Sequence, residues 1–265
     1  MSLLNSQLAQ LIENAKRIKT PEFLKAIEDY SDVFKRYSLR LRPSVNSISL
    51  VSCSSSTPQL GFSGITSATV LRNKLEDLKQ GKTSLERPGR ETPEKALQSW
   101  LISQAISNRY KLTSIDSALN DGHSYRFVTD EISLKISDDP QPSGGGKRVV
   151  ADLLLIRTND QGESEIVNAE LKSQRLTETF EQIDDFWKFM GEDQLRSWRE
   201  LIAIVLGDSE LRWKDVNLPR GIIIWPAPLG SSNKQTRELV SDRKKNGIQT
   251  ICYTGPLYEF EVEQP

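Results

Sequence analysis

At 265 residues the chain is long enough to bury a substantial core, as one large domain or two modest ones. Its 35 basic and 36 acidic residues leave a net charge of −1, which argues against a dominant non-specific affinity for nucleic acid. Two cysteines, Cys53 and Cys252, exclude a disulfide framework and a cysteine-rich zinc site, and a single histidine, His123, excludes chemistry built on several histidines. Any catalysis must rely on carboxylates and lysine. No apolar run approaches the roughly 18 residues that a membrane span requires. Asn5, Gln7 and Gln10 interrupt the apolar stretch that a signal peptide would need, so a cytoplasmic protein with no membrane partner is expected.

Taken in chain order, helical spacing covers Leu3–Ile18 and residues 21–37. A Ser-rich passage over residues 44–63 and a third helix over residues 66–80 come next, and residues 81–90 read as a boundary. Residues 1–87 are thus expected to form a mainly helical region for recognition, dimerisation or docking, or an elaboration packed on the rest of the chain. They show no repeat, heptad pattern or DNA-binding motif. Thr92-Pro93-Glu94 has helix-start chemistry, and Leu97, Leu101 and Ala105 recur at helical spacing with Glu94 on their face. A glutamate in a first turn is also favoured by the helix dipole alone. His123 lies in the turn-like Asp121-Gly122-His123-Ser124 and reads as a loop residue. A weaker strand over residues 124–128 or 131–136 precedes a Pro- and Gly-rich passage, residues 137–147.

Residues 149–156 form an apolar run broken only by Asp152, and residues 165–172 alternate, with Asn168, Glu170 and Lys172 on one face. Turn-forming residues 158–164 separate the two, so they predict an antiparallel hairpin. A turn centred on Gln161 sets Asp152 opposite Glu170. Such partners have Cβ atoms roughly 4.5–5.5 Å apart, and like charges there are destabilising. A bound cation would remove the penalty. Two hard oxygen ligands beside an amine suit Mg²⁺, for which Mn²⁺ can substitute, because this ion keeps several waters and binds few carboxylates plus substrate phosphate. A structural alternative stays open, in which Asp152, Glu170 and Lys172 form a solvated ion-pair cluster.

Asp152 on one strand and the triplet Glu170-Leu171-Lys172 on the next resemble the PD-(D/E)xK, or restriction-endonuclease-like, nuclease superfamily. Ala151 stands where the family usually has proline. The resemblance covers roughly residues 88–256 in order of elements, which would make residues 88–265 a nuclease-like domain, with a mixed central β-sheet flanked by helices in an α/β fold. It implies Asp152, Glu170 and the backbone carbonyl of Leu171 as metal ligands, and Lys172 as the residue that orients water and offsets charge. It also implies Glu94 as an outer ligand, with Glu91 a weaker choice. It suggests a metal-dependent DNA endonuclease, in restriction or defence. The alternative is a nuclease-fold protein that binds nucleic acid or a protein partner without cutting. Homodimerisation is left open.

Downstream, residues 177–190 read as an amphipathic helix, on which Gln182 four residues before Phe186 resembles a glutamine–aromatic pair of some family branches. The aromatics there also fit a core. Ser173, Gln174 and Arg175 are candidates to reach substrate phosphate, or form a plain strand-to-helix connection. A helix over residues 193–206, a buried strand at Gly221–Pro226, a basic helix over residues 231–245 and a strand over residues 247–253 complete the pattern. Lys234, Arg237, Arg243 and Lys244, or Arg212, Lys214 and Arg220, are the basic clusters that could meet DNA.

Overall fold

The computed structural model describes residues 2–53, 61–83, 92–136, 148–215, 219–228, 234–255 and 258–263. The Ser2 hydroxyl caps α1 (Leu3–Ile18) by accepting the Asn5 N–H, and Leu4, Leu8, Leu11, Ile12 and Ala15 form the buried side of that helix. α2 (Pro21–Asp29) starts on a proline, whose missing N–H is harmless in a first turn. The helix expected across residues 21–37 breaks at Tyr30, which leaves helical geometry while its hydroxyl donates to Glu76, and α3 (Ser31–Arg36) comes after it.

The region expected to be mainly helical also holds a sheet. β1 (Leu39–Pro43), β2 (Ile48–Ser52) and β3 (Gly61–Ile65) pair antiparallel, with β2 in the middle and buried throughout. The serines make this stretch look like a polar passage, yet Ser49 and Ser52 are themselves buried. Ser52 donates to the Tyr37 carbonyl at 2.9 Å, and the Ser44 and Ser49 hydroxyls lie 3.3 Å apart. Gly61 allows the close pairing, because a Cβ there would run into the Leu50 carbonyl. α4 (Ala68–Lys79), capped by Ser67, adds Leu71 and Leu75 to a core with Phe23, Val33, Ile48, Leu50 and Ile65.

Thr92 accepts the Lys95 N–H at 3.3 Å and starts α5 (Pro93–Ser107). A short helix that the spacing does not predict, α6 (Thr113–Leu119), precedes β4 (Ser124–Lys135). This strand spans both segments that read as alternatives, because Glu131 takes a left-handed φ of 52° and breaks the alternation between them. Beyond it lie β5 (Arg148–Thr158), β6 (Glu163–Leu171), α7 (Thr179–Lys188), α8 (Glu192–Leu206) and β7 (Arg212–Trp213). The chain continues through β8 (Gly221–Pro226), α9 (Lys234–Lys245), β9 (Ile248–Thr254) and β10 (Glu259–Val262).

The larger sheet runs β10-β9-β8-β6-β5-β4, with β7 also on β6. β5 and β6 are antiparallel, β6, β8 and β9 are parallel, and β10 returns antiparallel on β9, so the protein is mixed α/β with a mixed sheet flanked by helices. α7 lies on one face: Ile183 sits over Gly221, Trp187 donates its indole N–H to the Arg220 carbonyl, and Phe180 meets Trp225 edge-on at 5.8 Å. Val240 of α9 joins that core.

The chain divides into two compact units that interleave in sequence. One comprises Met1–Ser103, Leu134–Lys147 and Gly191–Ser209, and the other Gln104–Ser133, Arg148–Met190 and Glu210–Pro265. Within the first, α8 packs along α1, with Lys16 3.0 Å from Glu200 and Gln194 donating to Asn5 at 2.6 Å. A late helix is thereby drawn to the N-terminal elements. The second unit contains the hairpin.

Candidate active site

The hairpin turns about Gln161. Asn159 Oδ1 accepts the Gln161 and Glu163 N–H groups at 3.0 and 2.8 Å, and Gly162 supplies the positive φ of 78° that the turn needs. Leu153 faces Ala169, Leu155 faces Val167 and Thr158 faces Ser164. Continued by one residue, that register sets Asp152 opposite Glu170.

There the side chain takes over from the ladder: Leu171 donates its N–H to Asp152 Oδ2 at 2.9 Å. On the other side of β6, Lys172 donates its N–H to the Ile224 carbonyl at 2.9 Å. Amide and carbonyl of one strand residue point the same way, so the Leu171 carbonyl is directed toward the β5 side, as its N–H is.

Glu170 pairs in register with Ile223, and Asn168 with Gly221. Ile223 packs with Phe180 and Ile183, so both polar side chains lie on the face that α7 covers. Glu170 is 1 % exposed. Lys172 Nζ stands 3.2 Å from Glu170 Oε2 and 3.6 Å from Asp152 Oδ2. Asp152 is the most open of the three, with its side chain 26 % exposed, so a ligand would arrive from its side. Burial, together with the Asp152 charge, pushes the Glu170 carboxyl up to about 8 against the pull of Lys172.

This donor set fits a hard divalent cation. Two carboxyl groups converge beside a single ammonium, a bound cation would favour the ionised form of Glu170, and Glu170 Oε1 is buried without a hydrogen-bond partner among the described residues. Asp152, Glu170 and the Leu171 carbonyl would hold the ion. Among the described residues, no group of three or more His, Cys, Asp and Glu side chains is placed to hold a metal. The protein ligands would therefore be few, as Mg²⁺ tolerates when water and phosphate complete its shell.

The other candidates fare differently. Glu94 lies half-buried in the first turn of α5, within the other compact unit. Glu91 falls outside the described residues. Gln182 is exposed on α7 and makes no hydrogen bond to the cluster. Ser173 and Gln174 sit in the connection after β6.

Arg175 is held inside the protein. It donates to Glu263, to the Cys252 sulfur and to the Pro226 carbonyl, and its guanidinium lies 4.7 Å from the Trp225 ring centre. The distant strand β10 leads to Glu263, so the local sequence could not reveal this partner. Arg220 and Lys214 lie 3.3 and 4.0 Å from buried Glu165, which Arg157 also binds, and Arg243 pairs with Asp184 at 2.6 Å. These basic residues therefore brace the fold. His123 is a loop residue whose ring contacts the Asp121 carbonyl.

Comparison with protein-family models, curated proteins and solved structures gives no match for this chain. No helix among the described residues is long and apolar enough to cross a membrane.

Proposed function

We propose that this protein is a metal-dependent nuclease of the PD-(D/E)xK type that hydrolyses phosphodiester bonds, with DNA as substrate and internal cleavage as its mode. The observation that carries the reading is the convergence of Asp152, Glu170 and Lys172 at one end of the β5–β6 hairpin, with the ammonium within 3.6 Å of both carboxylates. The element order α5, β4, the antiparallel β5–β6 hairpin, α7 and the parallel β8 supports a restriction-endonuclease-like core.

Asp152 and Glu170 would hold Mg²⁺ or Mn²⁺ together with the Leu171 carbonyl. When bound, such an ion polarises a phosphoryl oxygen and acidifies a coordinated water. Lys172 directs its ammonium into the same space, where it would orient the attacking water and offset negative charge developing on the phosphate. Leu171 keeps Asp152 in position through its N–H. The burial of Glu170 under α7 shields that carboxylate from bulk solvent and strengthens its electrostatic interactions.

Calorimetry with Mn²⁺ tests the metal site. The native protein should bind, and Asp152→Ala and Glu170→Ala should not; absence of binding to the native protein would overturn the reading. Metal binding without turnover on any nucleic acid would instead indicate a nuclease-fold protein that binds without cutting.

A further inference from the structure

The side chain of Asn168 is fully buried in β6, and neither its amide oxygen nor its amide nitrogen has a hydrogen-bond partner among the described residues. Buried polar groups of this kind are nearly always satisfied, and an amide can make up to four hydrogen bonds, so two orphaned atoms on one side chain need an explanation. Asn168 lies two residues before Glu170 on the same face of the same strand, at a separation of roughly 6.6 Å along the chain. Glu170 Oε1 is orphaned on that face too, as is the Thr250 hydroxyl, whose residue pairs in register with Ile223 two strands away from β6. Gly221 neighbours Asn168 in the sheet, with Ile183 of α7 directly over it, so the space above Asn168 is closed by apolar groups.

We infer that Asn168 is a positioning residue for Glu170, joined to its Oε1 through one ordered water enclosed beneath α7. A buried water needs two to four polar partners, and the Asn168 oxygen, the Asn168 nitrogen and Glu170 Oε1 supply three. Neither strand neighbour offers an alternative: Leu154 and Gly221, which flank Asn168 in register, carry no polar side-chain atom. The link fixes the orientation of the carboxylate plane and leaves Oε2 toward Lys172 and the open side of the cluster. Its consequence for metal binding rests on the proposed nuclease site; the link itself does not.

Two measurements separate these claims. In the metal-free protein, the Asn168 side-chain amide resonances should shift on Glu170→Gln and show a through-space contact to a long-lived water. Unmoved resonances with no such contact would overturn the link, whatever the protein binds. In calorimetry, Asn168→Leu, of similar volume and without the orphaned polar atoms, should remain folded and weaken Mn²⁺ binding roughly ten- to a hundredfold, the usual loss when a group that orients a metal ligand is removed. Asn168→Gln, which keeps the amide, should recover part of that affinity. A folded Asn168→Leu variant that binds Mn²⁺ like the native protein would overturn the positioning role. A native protein that binds no Mn²⁺ would overturn the metal-positioning role together with the nuclease reading, while the resonances still decide the link.

Discussion

Asp152 accepts the Leu171 N–H at 2.9 Å, so a side chain on one strand occupies a ladder position of the next, at the point where the β5–β6 pairing gives out. That bond brings Asp152 beside Glu170 and leaves Lys172 to lie against both. Two carboxylates thus compete for one ammonium.

Removing that cation should therefore destabilise the metal-free protein. Above about pH 8, where Glu170 has released its proton, Lys172→Ala leaves two carboxylates facing each other, one of them buried, and should cost about 3 kcal/mol, the scale for breaking a buried ion pair. Urea unfolding in the presence of chelator measures it, and Mn²⁺ should restore part of the loss. A variant as stable as the native protein would show that the ion pairs contribute nothing.

Glu170 gives a pH signature in the metal-free protein. Its folded value, about 8, exceeds its ordinary value of 4.5, so the native state holds its proton over that interval while the unfolded chain has released it. Linkage then makes the contribution of Glu170 to stability fall as pH rises from about 4.5 to about 8. Glu170→Gln removes this slope, so the variant should gain on the native protein across the window. A stability difference that is constant with pH would contradict the burial of this carboxylate.

Glu165 has the opposite sign. Burial pushes its carboxyl up, but Arg157, Arg220 and Lys214 outweigh that and hold it below its ordinary value. The stability it contributes is present above the ordinary carboxylate range and is lost as pH falls through it. Glu165→Gln should therefore be less stable than the native protein at neutral pH, and the difference should shrink under acid. A difference that persists unchanged into acid would refute the pairing.

Arg175 should behave as a structural residue. Glu263 also accepts the Trp225 indole N–H at 2.8 Å, and burial, foremost, with the Glu263 charge raises the Cys252 thiol to about 11. Glu263→Ala should cost about 3 kcal/mol through the unpaired arginine, yet leave Mn²⁺ affinity unchanged. In the native protein Cys252 should resist alkylation at neutral pH and react only on unfolding.

The hairpin is legible in the sequence because its signals are local: period-two alternation, a polar turn centred on Gln161 and one carboxylate in an apolar run. Symmetry about Gln161 alone yields the register that sets Asp152 against Glu170. The three-stranded sheet is not legible, since buried serines imitate a polar passage and their partners, such as the Tyr37 carbonyl, are specified by tertiary contacts. Arg175 is hidden for the same reason: its partner Glu263 lies 88 residues away. Asn168 is visible as a polar residue on the Glu170 face, but only its complete burial distinguishes it from an ordinary strand residue.

The most direct measurement is cleavage of plasmid, linear duplex, single-stranded DNA and RNA with Mg²⁺ or Mn²⁺, comparing the native protein with Asp152→Ala and Lys172→Ala. Metal-dependent cleavage of DNA by the native protein, lost in both variants, is the predicted result. Cleavage that survives in both folded variants would contradict the assignment of Asp152 and Lys172 as the catalytic centre.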